Sequence, residues 1–518
     1  MPEPRPVVLR LSGITKRFGP LLANDHIDLD LGRGEILALL GENGAGKTTL
    51  MNILFGHYVA DAGAVLVAAG DGGLAPLEPG SPGAALAAGI GMVHQHFTLA
   101  ENLTGLENIV LGTEPVLRLM RRTGPARRKI ETVMTESGLA VDLDIPVSRL
   151  TVGERQRVEI LKALYRDARI LVMDEPTAVL TPQEADSLFV TMRALAAGGL
   201  AVIFISHKLG EVLAVSDRIA VLRAGARVGE MATADADRRS IAEMMVGRDV
   251  PASKRVAREP GAVLLELAGV SLAGAHRRSL VEADLAVREG EIVGIAGVSG
   301  NGQAALAALV AGLEKPTAGA MRLFGETVSR HDPRHFARSG IARIPEDRHH
   351  DGVVGAMTVA ENVALEELRE PSFQKGGFLR FAAIRARAEN AIRDYDVRCP
   401  GPDAAARLLS GGNIQKLILA RVLDRNPRLV LANQPTRGLD IGAQTEVHRR
   451  LLAAREAGVG VVLISEDLDE LMTLSDRIAV ITGGRLSEAM AAETLDRGTL
   501  GLMMAGHHDE DHGKGRAA

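Results

Sequence analysis

The chain has 518 residues, of which 46% are hydrophobic, enough for more than one folded core. Its 60 Lys and Arg residues against 65 Asp and Glu residues give a net charge of −5, which argues against broad binding of nucleic acid. A single cysteine, Cys399, excludes an intrachain disulfide, and we expect neither a signal peptide nor a membrane-spanning segment.

The sequence repeats itself. SDRIAVL at Ser216–Leu222 returns as SDRIAVI at Ser475–Ile481, and GENGAGKTT at Gly41–Thr49 returns as GVSGNGQAA at Gly297–Ala305. Because several segments recur in one order at nearly one spacing, we expect two homologous domains and not a solenoid. The predicted organisation is a first domain at 1–250, a linker at 251–261, a second domain at 262–506 and a disordered tail at 507–518.

Each half alternates short apolar runs with long helical stretches. EILALL precedes the first glycine loop, RILVMD precedes an acidic pair, and LAVIFIS precedes a histidine. This pattern predicts an α/β fold in which a mostly parallel sheet is flanked by helices on both faces. Such sheets place their ligands beyond the carboxyl ends of the strands.

The segment GENGAGKTT fits the pattern G-x-x-x-x-G-K-[ST] and follows a predicted strand. Its glycines let backbone N–H groups turn toward phosphate oxygens, and the following helix adds its positive end. Lys47 is expected to reach the β and γ phosphates, and the Thr48 hydroxyl to reach Mg²⁺. The predicted nucleotide-binding residues of this loop are Gly41, Asn43, Gly44, Gly46, Lys47, Thr48 and Thr49.

Further side chains follow the loop in the order that phosphate chemistry requires. In ILVMDEPT, four apolar residues end in Asp174, which can orient the Mg²⁺ shell, and Glu175, which can accept a proton from attacking water. Gln95 is a candidate for contact with the metal or water, and His207 for a sensor of the γ-phosphate. Phe18 either stacks on an adenine ring or belongs to the core.

The order of phosphate loop, Gln95, LTVGERQRVEI, MDEPT and His207 resembles the nucleotide-binding domain of an ABC transporter, and the resemblance covers both halves. The second half carries the signature in its clear form, LLSGGNIQKLILAR. The resemblance implies two tandem P-loop domains, each with a helical signature subdomain, that bind ATP with Mg²⁺. In this family two domains close head to tail, so that the phosphate loop of one meets the signature of the other.

The two halves carry complementary defects. In the second half Gln303 and Ala304 replace the lysine and threonine of the loop, Asn433 and Gln434 replace the acidic pair, and Glu466 replaces the histidine. In the first half the signature reads TVGER, and Thr181 stands where the second half has Asp440. The resemblance therefore implies one complete composite site, in which Lys47, Glu175 and His207 are catalytic. Its predicted residues from the second half are Ser410, Gly411, Gly412, Asn413 and Asp440. Whether the other site binds nucleotide stays open.

Tandem domains of this kind resemble the ATPases of bacterial nucleoside and simple-sugar importers. MVHQHFTLAENLTGLENIVLG, IPEDRHHDGVV and NQPTRGLD are closer to the nucleoside branch, and import of a ribose- or galactose-type sugar is the alternative. The resemblance implies transmembrane permease subunits as partners, an indirect link to an extracytoplasmic substrate-binding lipoprotein, and a peripheral location on the cytoplasmic face of the inner membrane.

Two functions of other classes fit the sequence less well than import. A soluble tandem ATPase acting on the ribosome or nucleic acid usually keeps two working sites and a long charged linker, neither of which this sequence predicts. A non-hydrolysing ATP sensor is disfavoured by Glu175 and His207. We therefore expect no nucleic-acid partner.

Overall fold

The computed structural model divides into two compact units, one comprising Met1–Val250 and Asp440–Gly442 and the other Pro251–Leu439 and Ala443–Ala518. It describes residues 5–69, 73–94, 97–113, 123–177, 180, 182–206, 208–247, 255–256, 258–273, 279–298 and 300–504. The predicted tail at 507–518 lies outside these ranges.

The first unit alternates strands and helices as the sequence predicts. Its strands are β1 (Val7–Phe18), β2 (Leu21–Gly32), β3 (Ile36–Gly41), β4 (Ala62–Ala68), β5 (Leu74–Pro76), β6 (Ile90–Val93), β7 (Ile170–Asp174), β8 (Ala201–Ile205), β9 (Arg218–Arg223) and β10 (Ala226–Ala232). Its helices are α1 (Lys47–Leu54), α2 (Pro82–Ala87), α3 (Gly105–Val110), α4 (Thr123–Ser137), α5 (Val152–Tyr165), α6 (Pro182–Ala197), α7 (Leu209–Val215) and α8 (Arg238–Val246).

The second unit repeats this order. Its strands are β11 (Val263–Leu272), β12 (Leu280–Arg288), β13 (Ile292–Ala296), β14 (Ala318–Leu323), β15 (Glu326–Thr327), β16 (Ile341–Ile344), β17 (Gln374–Lys375), β18 (Phe378–Leu379), β19 (Leu429–Asn433), β20 (Gly460–Ser465), β21 (Arg477–Thr482), β22 (Arg485–Leu486) and β23 (Met490–Ala491). Its helices are α9 (Gln303–Val310), α10 (Pro333–Arg338), α11 (Val359–Ala364), α12 (Phe381–Asp394), α13 (Gly411–Leu423), α14 (Ile441–Glu456), α15 (Leu468–Leu474) and α16 (Arg497–Met504).

A mostly parallel sheet forms the centre of each unit, as predicted. In the first unit the order is β10-β9-β3-β8-β7-β6, and in the second it is β16-β19-β20-β13-β21-β22 with β23 beside β21. The pairs among β6, β7, β8, β3 and β9 are parallel, as are those among β16, β19, β20, β13 and β21. The carboxyl ends of these strands therefore meet at one edge of each sheet.

Strand β3 shows why the sheet is covered on both faces. Ile36 and Leu40 belong to one apolar cluster, whereas Leu37 and Leu39 belong to another, and all four are fully buried. Because successive side chains of a strand point to opposite faces, both faces of β3 require an apolar layer. An uninterrupted apolar run such as EILALL is the sequence signal of this arrangement.

Each unit also contains a four-stranded antiparallel sheet that the sequence analysis did not predict. The orders are β2-β1-β4-β5 and β12-β11-β14-β15. The pairing of β1 with β2 and of β11 with β12 is interrupted by register shifts. Such irregularities break the strict alternation of apolar and polar residues by which a half-buried strand is recognised.

A helical subdomain accompanies each sheet, as the resemblance implied. In the first unit α3 and α4 pack against α5, and in the second α11 and α12 pack against α13. Among the described residues, no helix combines the length and the apolar character needed to cross a bilayer.

Candidate functional site

The first phosphate loop joins the end of β3 to the start of α1 at Lys47. Gly41 and Gly46 both have positive φ angles, of 154° and 99°. A Cβ atom at Gly41 would lie 2.4 Å from the Leu222 carbonyl oxygen, and one at Gly46 would lie 2.2 Å from the Ala23 carbonyl oxygen. Only glycine fits these two positions, because the backbone conformation and the neighbouring strands both exclude a side chain.

The Lys47 side chain lies along the inside of this loop. Its ammonium group donates hydrogen bonds to the carbonyl oxygens of Gly41 at 2.6 Å and Glu42 at 3.1 Å. Burial lowers the pKa of Lys47, and the negative charges of Glu175 and Asp174 oppose that shift. The predicted phosphate-binding cation therefore lies within electrostatic reach of the predicted acidic pair. Thr48, the candidate metal ligand, is exposed at the second position of α1.

The acidic pair lies at the carboxyl end of β7. Burial raises the pKa of Asp174, and the neighbouring Glu175 carboxylate adds to the shift. Glu175 has a φ of 46°, unusual for a residue with a side chain, and its N–H donates to the Ile205 carbonyl at 2.9 Å. The turn at Glu175 is thus held against the end of β8, and such strained backbone is common in functional sites.

A buried hydrogen-bond network supports this turn, and the sequence analysis missed it. The Thr177 hydroxyl donates to the Glu211 carboxylate at 2.6 Å, and the Ser206 hydroxyl donates to the same oxygen at 3.0 Å. In the second unit the Thr436 hydroxyl donates to the Glu470 carboxylate at 2.9 Å. Comparison of the two halves could have identified these residues, since the matching Thr and Glu recur in both repeats.

Several predicted residues cannot be placed. Gln95, Thr181 and His207 lie outside the described residues.

Phe18 is 43% exposed at the end of β1, and its ring meets that of Tyr58 edge to face at a centroid distance of 5.6 Å. This exposure excludes the core alternative for Phe18, whereas stacking on adenine stays a prediction.

The second phosphate loop has the shape of the first without its charge. Gln303 occupies the start of α9, and its side-chain amide donates to the Val298 carbonyl at 2.8 Å. Its side-chain oxygen accepts the N–H of Asn301 at 3.0 Å. Gln303 therefore closes the loop on itself, much as Lys47 reaches back to the carbonyls of its own loop.

The second acidic pair is likewise replaced with little change of backbone. Gln434 has a φ of 49°, and its N–H donates to the Ile464 carbonyl at 2.8 Å, which repeats the geometry of Glu175. Asn433 is buried at the end of β19, in the position of Asp174. The second unit thus keeps the turn and loses both carboxylates.

The two signature helices differ at their N-termini. Ser410 is the exposed N-cap of α13, and its hydroxyl accepts a hydrogen bond at 2.9 Å from the Asn413 amide without bonding a backbone N–H. Gly411 and Gly412 form the first turn of α13. Ser410, Gly411, Gly412 and Asn413 therefore lie together at the N-terminus of α13. Asp440, the remaining predicted residue of the second half, directly precedes α14.

In the first unit, the Glu154 carboxylate lies at the N-terminus of the corresponding helix α5. The Glu154 side chain accepts hydrogen bonds from the Thr151 N–H at 2.8 Å and from the Thr151 hydroxyl at 2.9 Å, and the Thr151 hydroxyl in turn accepts the Glu154 N–H. These bonds hold the pKa of Glu154 below its usual value. The positive end of α5 is thus already matched with an internal negative charge.

The neutral second loop leads to a prediction for Gln303→Lys. We expect the variant to hydrolyse ATP within about twofold of the wild-type rate, because Asn433 and Gln434 supply neither a metal ligand of negative charge nor a base. Steady-state phosphate release from the full chain measures this. A rate approaching that of two equal sites would contradict the assignment of the second loop as inactive.

The raised pKa of Asp174 leads to a prediction for Asp174→Asn. Folding disfavours the ionised carboxylate, so wild-type stability is lower when Asp174 is ionised and rises as the pH falls through its pKa. The variant should therefore show a higher Tm at neutral pH, and this gain should shrink as the pH falls. Asn433 shows that an amide fits the matching strand end. Calorimetry at several pH values measures Tm, and ATP turnover of the same preparations measures the activity that the substitution costs. A lower Tm of Asp174→Asn at neutral pH would contradict the prediction.

Comparison with known proteins agrees with these observations. A profile of the ABC transporter family matches residues 24–178 and 280–437, once in each unit. The chain is 44% identical over 501 residues to the nucleoside import ATP-binding protein NupA of Lactococcus lactis subsp. cremoris, covering 96% of this chain and 98% of the relative. It is 45% identical over 535 residues to the glucose import ATP-binding protein TsgD13 of Haloferax volcanii, covering 97% of this chain and 96% of the relative.

A solved structure of similar length shares the fold. The archaeal ribosome recycling factor aABCE1, in complex with the ribosomal stalk protein aP1, matches 96% of this chain and 94% of its own with a TM-score of 0.63 at 19% identity. At that identity the likeness concerns the fold alone. With two matched domains and full-length relatives above 40% identity, the chain belongs to the ABC transporter family, as an ATP-binding ATPase subunit with tandem nucleotide-binding domains.

Proposed function

We propose that this chain hydrolyses ATP to drive a nucleoside importer. The observation that carries the hydrolysis is the asymmetry of the two units: Lys47, Asp174 and Glu175 interact electrostatically in the first, whereas the second keeps the same turns with neutral side chains. A single ATP is therefore hydrolysed per cycle, at the loop of the first domain.

The first domain supplies the groups that hold ATP. Lys47 binds the β and γ phosphates, and the N-terminus of α1 adds its dipole. The Thr48 hydroxyl and the Asp174 carboxylate are oxygen donors of the kind that Mg²⁺ prefers, so they are the residues that would hold it. Bound Mg²⁺ supplies positive charge to the phosphate oxygens as negative charge develops on the leaving group.

Glu175 is the proposed general base. Its place at the carboxyl end of β7, one residue beyond Asp174, suits a carboxylate that orients water and accepts its proton. Gln95 and His207 retain their predicted roles as metal or water contact and as γ-phosphate sensor. Positioning and electrostatic stabilisation provide most of the rate enhancement in reactions of this class.

The second domain completes the site through its signature. Ser410 and the two glycines that follow leave the N-terminus of α13 open to an anion, whereas Glu154 already occupies the corresponding position of α5. This contrast supports a composite site in which Ser410, Gly411, Gly412, Asn413 and Asp440 act on the ATP held by Lys47.

Nucleosides are the proposed cargo. The relatives for nucleoside and glucose import are equally similar to this chain, at 44% and 45% identity, so overall identity does not separate the two substrates. The three stretches quoted above favour the nucleoside branch, and a simple sugar is the alternative. Import requires transmembrane permease subunits, which place the chain at the cytoplasmic face of the membrane, and a substrate-binding lipoprotein that delivers the cargo.

Transport measurements test this function. The chain is co-expressed with permease subunits of a nucleoside importer and, separately, with those of a sugar importer. Uptake of labelled nucleosides, ribose and glucose is compared with that of a strain that carries Glu175→Gln. We expect ATP-dependent nucleoside uptake that the substitution abolishes. Uptake of a sugar alone would contradict the nucleoside assignment, and co-sedimentation with ribosomes without any permease would contradict import.

A further inference from the structure

A π-helical turn at Arg348–Gly352 follows strand β16 in the second unit. It is fixed locally by Asp347, whose carboxylate accepts the N–H groups of His349 and His350, both at 2.9 Å. These bonds hold the pKa of Asp347 below its usual value. Turns of this type are rare and often occur at functional sites.

Arg348 begins the turn and directs its guanidinium group toward the loop that leads to Asp440. It donates to the carbonyl oxygens of Arg437 at 2.6 Å and Gly438 at 3.3 Å. Its Nε atom is buried and has no hydrogen-bond partner among the described residues. Burial lowers the pKa of Arg348. The Asp347 carboxylate offsets part of this shift. Because a buried N–H group without a hydrogen-bond partner is costly, stability alone does not explain the place of this side chain.

The same guanidinium group lies against the signature turn. A Cβ atom at Gly411 would lie 2.8 Å from Nη2 of Arg348, so a larger residue there would displace the arginine. The far end of the turn also contacts α13, since the Gly352 carbonyl accepts a hydrogen bond from Arg421 at 2.7 Å. The turn therefore lies along the first three helical turns of the signature helix.

The corresponding residues of the first half lack this arrangement. Counted from the matching strands β6 and β16, Phe97 stands in place of Arg348, and no arginine occurs between β6 and α3. Val152 stands in place of Gly411, and Val179 in place of Gly438. The arginine, the glycine that admits it and the glycine that accepts its hydrogen bond thus occur together only in the half whose signature is intact.

We propose that Arg348 is a positioning residue that fixes the signature turn Ser410–Asn413 relative to the loop that carries Asp440. One side chain contacts both segments, and both belong to the set that the second domain gives to ATP. The inference rests on the proposed function, in which that set completes the site of Lys47.

Kinetics of the full-length chain test the role. For Arg348→Ala we expect kcat for ATP hydrolysis to fall roughly 10–100-fold, because a misplacement of about 1 Å is enough for such a loss. KM for ATP should change by less than about threefold, since the Lys47 loop that binds ATP is intact. Arg348→Lys keeps the charge but cannot donate to two carbonyls in the same fork, so its kcat should lie between those of the wild type and the alanine variant.

His350→Ala is the matched control. This residue belongs to the same turn, and its side chain is 84% exposed and bonded to Asp351. It should leave kcat and KM within about twofold of the wild-type values. If Arg348→Ala does not fold, as judged by its Tm, Arg348→Lys takes its place. We then expect a smaller loss of kcat, again with KM for ATP nearly unchanged.

Three results would overturn the inference. They are a kcat for Arg348→Ala within about twofold of the wild type, a rise in KM that accounts for the whole loss, and an equal loss in His350→Ala. Gly412→Asp separates this inference from the proposed function. If Gly412→Asp abolishes turnover and Arg348→Ala does not, only the role of Arg348 is wrong. If Gly412→Asp has no effect, the composite site itself is wrong.

Discussion

Glu175→Gln should reduce steady-state ATP hydrolysis by roughly 10²–10⁴-fold, because the substitution removes the proposed base while keeping the size of the side chain. The structure of the second unit shows why the fold should tolerate it. Gln434 adopts the same positive φ as Glu175, at 49° against 46°, and makes the same backbone hydrogen bond to the neighbouring strand. Binding of ATP should persist, since Lys47 and the glycine loop are untouched.

The matched control is Gln434→Ala. This substitution changes the corresponding position of the domain that we propose does not hydrolyse ATP, and turnover should remain within about twofold of the wild-type rate. Phosphate release and the binding of a fluorescent ATP analogue, measured on the same preparations, separate catalysis from affinity. Wild-type turnover in the Glu175→Gln variant would exclude Glu175 as the base. A comparable loss of turnover in Gln434→Ala would mean that the second domain, and not the first, hydrolyses ATP.

The features that the sequence predicted well are those with a local cause. The loop before Lys47 and the acidic pair at the end of β7 both follow apolar runs, and in a parallel sheet such runs end at one edge. Both segments therefore end at the same edge of the sheet, where β8 lies between β3 and β7. Burial lowers the pKa of Lys47 and the charges of Glu175 and Asp174 oppose that shift, so the three side chains lie within electrostatic reach of one another.

The features that the sequence did not reveal depend on contacts between distant residues. Thr177 and Glu211 meet through a hydrogen bond across 34 positions, and Arg348 reaches the Arg437 carbonyl across 89. No local period or spacing encodes such pairs. The antiparallel strand β1 was missed for another reason, since its register shifts disturb the alternation by which an exposed strand is recognised.

The degenerate residues of the second domain replace charge without changing shape. Gln303 bonds the loop that Lys47 bonds in the first domain, and Gln434 turns the chain as Glu175 does. A neutral amide can be buried without the cost of burying a charge. The raised pKa of Asp174 indicates that the first domain carries this cost. The second domain thus keeps these turns without buried charge, whereas the first domain carries that cost in the residues proposed for catalysis.

Gly412→Asp should abolish turnover, with a loss of roughly 10²-fold or more, because a carboxylate in the first turn of α13 would repel the phosphate that this turn is proposed to bind. The fold should accept the change. Gly412 lacks a positive φ, and the nearest atom to a Cβ there is the Cβ of Ala443 at 3.5 Å, an ordinary contact. An acidic residue at this end of a helix also favours the helix.

Val152→Asp is the comparison variant in the first domain, because a Cβ atom at Gly153, the residue that corresponds to Gly412, would lie 2.7 Å from Oε1 of Glu184. Val152 is 38% exposed in the first turn of α5, where Glu154 already supplies a negative charge. Its turnover should stay within about twofold of the wild type, because this signature is not proposed to face a hydrolysed ATP. Equal losses in the two variants would mean that both signatures serve catalysis. A loss in Val152→Asp alone would mean that the intact phosphate loop is completed by its own domain's signature, and the composite site would have to be abandoned.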